Sequence, residues 1–83
     1  MVLTVLFFAS LRERLGCNKL SLTLPAGASV ADVITTLAER EPGWCEAFEQ
    51  GQCLAAVNQQ MVKPDYLLAD GDELALFPPV TGG

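Results

Sequence analysis

The residue types best suited to chemistry stand at the carboxyl end of the sequence, in the run FPPVTGG at 77–83. The two prolines have no backbone N–H, so they cannot continue a strand ladder and favour an extended polyproline conformation. Residues 78–83 can then span about 20 Å at roughly 3.3 Å per residue. Gly82 and Gly83 have no side chains and could thread a channel too narrow for other residues. Such a tail would deliver the α-carboxylate of Gly83 to another protein, whereas the plain alternative is a disordered terminus.

The rest of the sequence offers little for unaided catalysis. It contains no histidine, so the commonest general base is missing and no Ser, Thr or Cys has a histidine to activate it. Cys17, Cys45 and Cys53 form no C-x-x-C pair, which argues against a zinc site or a disulfide framework and predicts small buried side chains. The acidic residues around Gly71 do not match the spacing of a calcium loop and indicate a solvated turn. We therefore expect no bound metal or cofactor, and no enzymatic activity from this chain alone.

Size and charge limit the possible partners. The 83 residues predict one domain, and 51% of them are hydrophobic, so one small core can hold it. The net charge is −5 and the lysines and arginines are scattered singly, which excludes the basic stripe that nucleic acids or anionic membranes require. A partner with a basic surface would be favoured, although negative charge also keeps a protein soluble. The absence of a charged leader and of a run approaching roughly 20 apolar residues predicts a cytoplasmic protein.

Hydrophobic periodicity predicts the elements that must position the tail. Residues 2–8 predict a strand with Leu3, Val5 and Phe7 facing the core and Phe8 on the other, partly exposed face. The same parity places Phe77 beside a carboxylate on the outward side of the last strand. Other patterns predict strands at 19–24, at 53–57, at 61–62 and at the end of 67–77, and short helices at 9–16 and 44–51.

The main helix is predicted at 28–43. Its apolar residues recur at the spacing of one helical face, and Pro42-Gly43 should end it. Ser29 can cap its N-terminus, with Asp32 three residues on in a variant of the capping box. Three or four strands around one main helix indicate an α+β sheet with one covered face. The predicted inward face of the helix comprises Val30, Val33, Ile34, Leu37 and Ala38.

Three stretches give the sequence a likeness to a known family: VLFFASLRERLG, LAAVNQQMV and LADGDELALFPPVTGG. With them the chain resembles, over its whole length, the small subunit of molybdopterin synthase, the MoaD sulfur-carrier family. The resemblance implies a β-grasp, ubiquitin-like fold with a mixed sheet of four to five strands packed on one main helix. That domain would span 1–77, followed by a flexible tail at 78–83 that ends in Gly-Gly.

The resemblance also implies a mechanism and partners. An adenylating enzyme of the MoeB type would use ATP to activate the Gly83 carboxylate, and sulfur would displace AMP to leave a thiocarboxylate. The large synthase subunit, of the MoaE type, would use that sulfur to convert cyclic pyranopterin monophosphate into molybdopterin, in a 2:2 heterotetramer. The chain itself would bind no cofactor. The resemblance assigns the tail to Pro78, Pro79, Val80, Thr81, Gly82 and the thiocarboxylated Gly83, and the contact with the large subunit to Phe8, Arg12, Met61 and Phe77.

Several alternatives remain open from the sequence. Arg12 could equally be a solvated helix charge, and Phe8 could belong to the core. The chain could instead carry sulfur for thiamine, for tRNA thiolation or for protein conjugation, or it could be a ubiquitin-like binding module with an inert tail. The cysteines match no functional position in the family. An outward Phe8 and Phe77 would also predict some self-association in the absence of a partner.

Overall fold

The computed structural model describes residues 1–41, 43–49 and 53–78, apart from the side chains of residues 47 and 49. The predictions for Pro42 and for tail residues 79–83 fall outside these ranges. Along the chain lie β1 (Val2–Phe7), α1 (Ala9–Leu15), β2 (Lys19–Thr23), α2 (Val30–Arg40), α3 (Trp44–Glu49), β3 (Leu54–Val57), β4 (Gln60–Val62) and β5 (Glu73–Phe77).

The strands form one mixed sheet in the order β2-β1-β5-β3-β4. The first and last strands, β1 and β5, pair in parallel at its centre, whereas the other neighbours pair antiparallel. The predicted pairing of the first two strands is confirmed, and so is the α+β architecture with five strands and one main helix. The strands that open and close the folded domain therefore lie side by side at the middle of the sheet.

The core lies between one face of the sheet and the helices. Leu3 and Val5 of β1 and Leu74 and Leu76 of β5 have no exposed surface. Burial of each such side chain contributes roughly 1.5–3 kcal/mol. Phe7 packs its ring edge-to-face against Trp44 of α3, with centroids 5.9 Å apart. The predicted helix face is confirmed: Val30, Val33 and Leu37 are fully buried, and Ile34 and Ala38 are half-buried against the core.

The start of α2 is fixed by the predicted capping box. The Ser29 hydroxyl accepts a hydrogen bond from the Asp32 N–H at 3.2 Å, and the Asp32 carboxylate accepts one from the Ser29 N–H at 2.9 Å. Two backbone donors that the first turn would leave without partners are thereby satisfied. The helix ends at Arg40, shorter than predicted, because Glu41 already has an extended backbone.

The acidic residues before β5 accept hydrogen bonds from other elements, whereas the sequence predicted only a solvated turn. Asp70 accepts a hydrogen bond from the Val2 N–H at 2.7 Å, which ties the turn to the start of β1. Asp72 accepts one from the Ala69 N–H at 2.8 Å and another from the Asn58 side chain at 3.0 Å. These carboxylates therefore link β5 to β1 and to the β3–β4 turn.

A strained turn joins β3 to β4, and its strain predicts that one substitution will stabilise the protein. Asn58 and Gln59 have φ of 49° and 73° between the paired residues Val57 and Gln60. Asn-Gly is the favoured sequence for such a turn, because glycine adopts positive φ without a Cβ penalty. We expect Gln59→Gly to raise the free energy of unfolding by about 0.5–1 kcal/mol, measured by urea titration.

The matched control is Gln60→Gly, which places glycine in the extended backbone of β4. That substitution is expected to lower stability, because glycine loses more conformational freedom in a strand. A Gln59→Gly variant that loses as much stability as Gln60→Gly would show that the turn carries no relievable strain.

Candidate docking face and tail root

The sheet face opposite α2 carries an apolar row. Leu6 lies opposite Ala75 and Ala75 lies opposite Ala56, which in turn lies opposite Met61. These residues belong to β1, β5, β3 and β4, so the row crosses four adjacent strands. Directly opposed residues on one sheet face are close enough for their side chains to contact. The 62% exposure of Met61 leaves the end of this row open to solvent.

An aromatic pair extends this row at the carboxyl end of β5. The rings of Phe8 and Phe77 stack with centroids 4.9 Å apart and an angle of 15° between their planes. The Phe8 N–H donates a hydrogen bond to the Leu76 carbonyl at 3.2 Å, and Leu54 lies opposite Phe77 on β3. Phe8 is 40% exposed, so its prediction as an outward residue is confirmed and the core alternative is wrong.

The apolar row and the aromatic pair line a depression of ≈ 440 Å³, which we call the docking face. Large apolar side chains left in water on one contiguous surface are typical of a protein-binding site. The structure thus brings Phe8, Met61 and Phe77, predicted as contact residues, onto one surface. The depression is lined by Leu6, Phe8, Ala56, Gln59, Met61, Glu73, Ala75 and Phe77.

Arg12 lies one helical turn from Phe8. Its N–H donates to the Phe8 carbonyl at 3.4 Å, the first hydrogen bond of α1, and the residue is exposed. Because Arg12 is exposed in the first turn of α1, directly after Phe8, its cation lies near the docking face along the chain. Its assignment as a contact residue remains a prediction.

The tail begins beside this surface. Pro78 directly follows the last residue of β5 and is half-buried. The stacked pair therefore marks the root of the tail, and tail residues 79–83 lie outside the described residues. Leu54 beside the depression and Ala56 within it were not predicted as contact residues, although alternation with the buried Ala55 could have indicated that Leu54 faces outward.

The cysteines differ in their surroundings. Cys17 and Cys53 are half-buried, but Cys45 is exposed, so the prediction that all three are buried is wrong for Cys45. Cys45 lies on α3, which packs against the core through Trp44 and Phe48, four residues apart on the adjoining face. Burial raises the pKa of the Cys53 thiol to about 11. Among the residues that the structure describes, no group of His, Cys, Asp and Glu could hold a metal ion.

These surroundings predict different cysteine reactivities. At pH 8 we expect iodoacetamide to modify Cys45 about 10- to 100-fold faster than Cys53 in the native protein. The thiolate is the reactive form, and the raised pKa of Cys53 leaves little of it. The Cys53 rate should rise as the pH approaches 11, and the difference should vanish in denaturant. Peptide mass mapping over time measures both rates, and equal native rates at pH 8 would contradict the prediction.

Comparisons with known proteins identify the family of this chain. No helix within 1–41, 43–49 and 53–78 is long and apolar enough to span a bilayer. Residues 5–83 match the ThiS family. The chain belongs to the ThiS family. This ThiS-family chain is 42% identical over 84 residues to the molybdopterin synthase sulfur carrier subunit of Escherichia coli (strain K12), across 99% of this chain and 100% of that relative. The resemblance to the MoaD family is thereby confirmed.

Solved structures agree on the fold. The solution structure of small archaeal modifier protein 1 from Methanosarcina acetivorans has a TM-score of 0.77 at 28% identity, covering 99% of this chain and 96% of that one. A ubiquitin from Caldiarchaeum subterraneum has a TM-score of 0.61 at 19% identity, covering 100% and 98%. The second likeness bears on the fold alone, and the ubiquitin-like β-grasp prediction is confirmed.

Proposed function

We propose that this ThiS-family chain is the non-catalytic sulfur carrier subunit of a molybdopterin synthase. The observation that carries the proposal is the docking face, because its aromatic pair stands at the root of a tail that ends in Gly-Gly. The 42% identity to the Escherichia coli sulfur carrier subunit, which extends over 99% of this chain, supports the proposal.

The chemistry is assigned to the terminal carboxylate of Gly83. A carboxylate resists substitution by sulfur, because oxide is a poor leaving group. In the proposed reaction a MoeB-type enzyme transfers AMP from ATP to the carboxylate and releases pyrophosphate. Hydrosulfide attacks the acyl carbon, the bond to AMP breaks, and a thiocarboxylate remains on Gly83. ATP is used by the activating enzyme, and this chain needs no bound cofactor.

The proposed acceptor is cyclic pyranopterin monophosphate in the MoaE-type large subunit. Docking through the apolar face would hold the carrier while its tail reaches into the partner's site. Such attachment makes the reaction effectively intramolecular, which can supply a large part of its rate. Six residues can reach at most about 20 Å, so the proposal requires that the docking face and the partner's site lie within that distance of each other. We propose a 2:2 heterotetramer in which each carrier serves one large subunit.

An intact-protein mass measurement tests the proposal. The chain is incubated with the activating enzyme, ATP and a sulfide donor, and then with the large subunit and the pterin precursor. We expect a mass gain equal to sulfur-for-oxygen exchange that requires ATP, and its loss as molybdopterin forms. A Cys45→Ser variant should gain the same mass, because the exposed thiol has no part in the reaction.

Other outcomes would favour the alternatives. A loaded carrier whose sulfur is accepted only by a thiazole-forming or tRNA-thiolating enzyme would identify a different acceptor. Conjugation of the chain to lysines of other proteins would identify a modifier. No mass gain with an activating enzyme proven on another carrier would support the binding module with an inert tail.

A further inference from the structure

We infer that Ala9 is a positioning residue, whose left-handed backbone holds Phe8 over Phe77 and so sets where the tail leaves the sheet. The inference deepens the proposed function and rests on it for the sulfur-transfer readout only. The NMR shifts of the two phenylalanine rings in the isolated chain provide a second readout, which needs no sulfur transfer.

The observation is the backbone of Ala9, with φ of 55°. Left-handed backbone is disfavoured for L residues, and alanine has no polar side chain to compensate by a local hydrogen bond. In the described residues the other non-glycine positions with positive φ, Asn58 and Gln59, form the hairpin turn where this conformation is required. Ala9 instead stands between a strand and a helix. Strain of this kind persists only where the surroundings impose it, and it is concentrated at functional sites.

The hydrogen bonds of the neighbouring residue Phe8 show what imposes the positive φ of Ala9. Phe8 has an extended backbone, with φ −124° and ψ 156°, and its N–H is bound to the Leu76 carbonyl of β5. The carbonyl of Phe8 already accepts the first hydrogen bond of α1, from Arg12. Phe8 is therefore attached to β5 on one side and to α1 on the other. The chain must turn from strand to helix within one residue, and Ala9 makes that turn.

Phe8 itself is an unusual choice at this position. As the N-cap of α1 it makes no side-chain hydrogen bond, whereas Ser, Thr, Asp and Asn are the residues that cap helices. A residue that breaks a local rule in this way indicates a role outside local structure. Here the ring is used against Phe77, with the two planes 15° from parallel.

The stack bears on the tail through Phe77. Proline restricts the residue before it to extended backbone and has a fixed φ of its own, so the Phe77-Pro78 unit is stiff. Phe77 is paired with Leu54 in the sheet and its ring stacks on Phe8, so the strand pairing and the aromatic pair together hold the direction of this unit. Catalytic rates fall about 100-fold for a misplacement of about 1 Å. A change in the direction of this unit would alter the point and the angle from which the tail starts toward the partner's site.

The test compares two substitutions at Ala9, which is exposed, so either side chain can point into solvent. Ala9→Asn keeps the left-handed backbone accessible, because asparagine tolerates it. Ala9→Val does not, because a β-branched residue strongly disfavours positive φ. Preloaded thiocarboxylate carriers are mixed with saturating large subunit and the pterin precursor, and the rate of sulfur transfer is measured.

We expect Ala9→Val to lower the saturated rate by roughly 10- to 100-fold and Ala9→Asn to stay within about 2-fold of the parent chain. In NMR spectra of the isolated carriers, the ring-current shifts of the stacked Phe8 and Phe77 protons should be lost in Ala9→Val and retained in Ala9→Asn. Ala9→Thr, a β-branched variant with a polar side chain, takes the place of Ala9→Val if that variant does not fold.

Equal rates and equal ring shifts in the two variants would overturn the inference. So would a β-branched variant that weakens binding to the large subunit but transfers at the parent rate once saturated. If the parent chain transfers no sulfur, the proposed function fails, while the ring shifts still decide whether Ala9 holds the aromatic pair.

Discussion

Deletion of Gly83 is expected to abolish thiocarboxylation, with the loading rate falling by more than about 1,000-fold. The shortened chain still ends in a glycine carboxylate, but this carboxylate stands about 3.3 Å closer to the root of the tail. Reacting atoms must approach within about 3–3.5 Å, and a misplacement of about 1 Å already costs roughly 100-fold in rate. The measurement is the intact mass of the chain over time with the activating enzyme, ATP and a sulfide donor.

The matched control for this deletion is Thr81→Ser, which changes a tail side chain but retains the length and the terminal Gly-Gly. It is expected to load at the parent rate. If the Gly83 deletion loads as fast as Thr81→Ser, the position of the carboxylate does not matter and the proposed chemistry is wrong.

Phe8→Ser is expected to weaken binding of the large subunit by roughly 30- to 1,000-fold, a loss of about 2–4 kcal/mol. Phe8 is an aromatic anchor within the docking face, 40% exposed in the isolated chain. Residues of this kind supply most of the binding free energy in protein interfaces, since their large apolar surface is covered by the partner. Isothermal titration calorimetry with the large subunit measures the effect.

The stability of this variant should change little, so that a binding defect can be read as such. Loss of the stack with Phe77 costs about 0.5–1.5 kcal/mol. Serine at the N-cap of α1 gains about 1 kcal/mol, because its hydroxyl can accept a hydrogen bond that phenylalanine cannot. The two effects oppose each other, and urea unfolding of the isolated chain checks the balance.

Tyr66→Ser is the matched control for the binding measurement. Tyr66 is an aromatic residue of similar exposure, 43%, but its backbone carbonyl binds the Val30 N–H at the start of α2, on the helix side of the sheet. Its substitution is expected to leave affinity within about 2-fold, as is usual for residues outside an energetic centre. Equal losses in the two variants, or none in either, would argue against the docking face.

Features that depend only on residues close together in the chain could be predicted from the sequence. The apolar spacing of α2 and the pair Ser29 and Asp32 predicted a helix and a capping box that the structure contains. Strand alternation predicted which side of β1 is buried and that Phe8 and Phe77 face outward. Periodicity determines these features because each residue's side follows from its place in the element alone.

The sequence also determined the family and the motif to which the proposed chemistry is assigned. The run FPPVTGG, with the opening and middle stretches, resembles the MoaD family by itself, and the match of residues 5–83 to the ThiS family agrees. Such a motif can be recognised because the conformational properties of proline and glycine belong to the residues themselves.

Only the tertiary structure decided how these parts meet. Parallel pairing of β1 with β5 brings Phe8 onto Phe77, although the two residues are far apart in the sequence. The antiparallel pairings of β5 with β3 and of β3 with β4 then complete the row from Leu6 to Met61. Which distant strands pair depends on how the whole core is buried, and the residues of a single segment do not determine this. The hydrogen bonds of Asp70 and the left-handed backbone of Ala9 follow from that same assembly, since each meets a demand made by another strand.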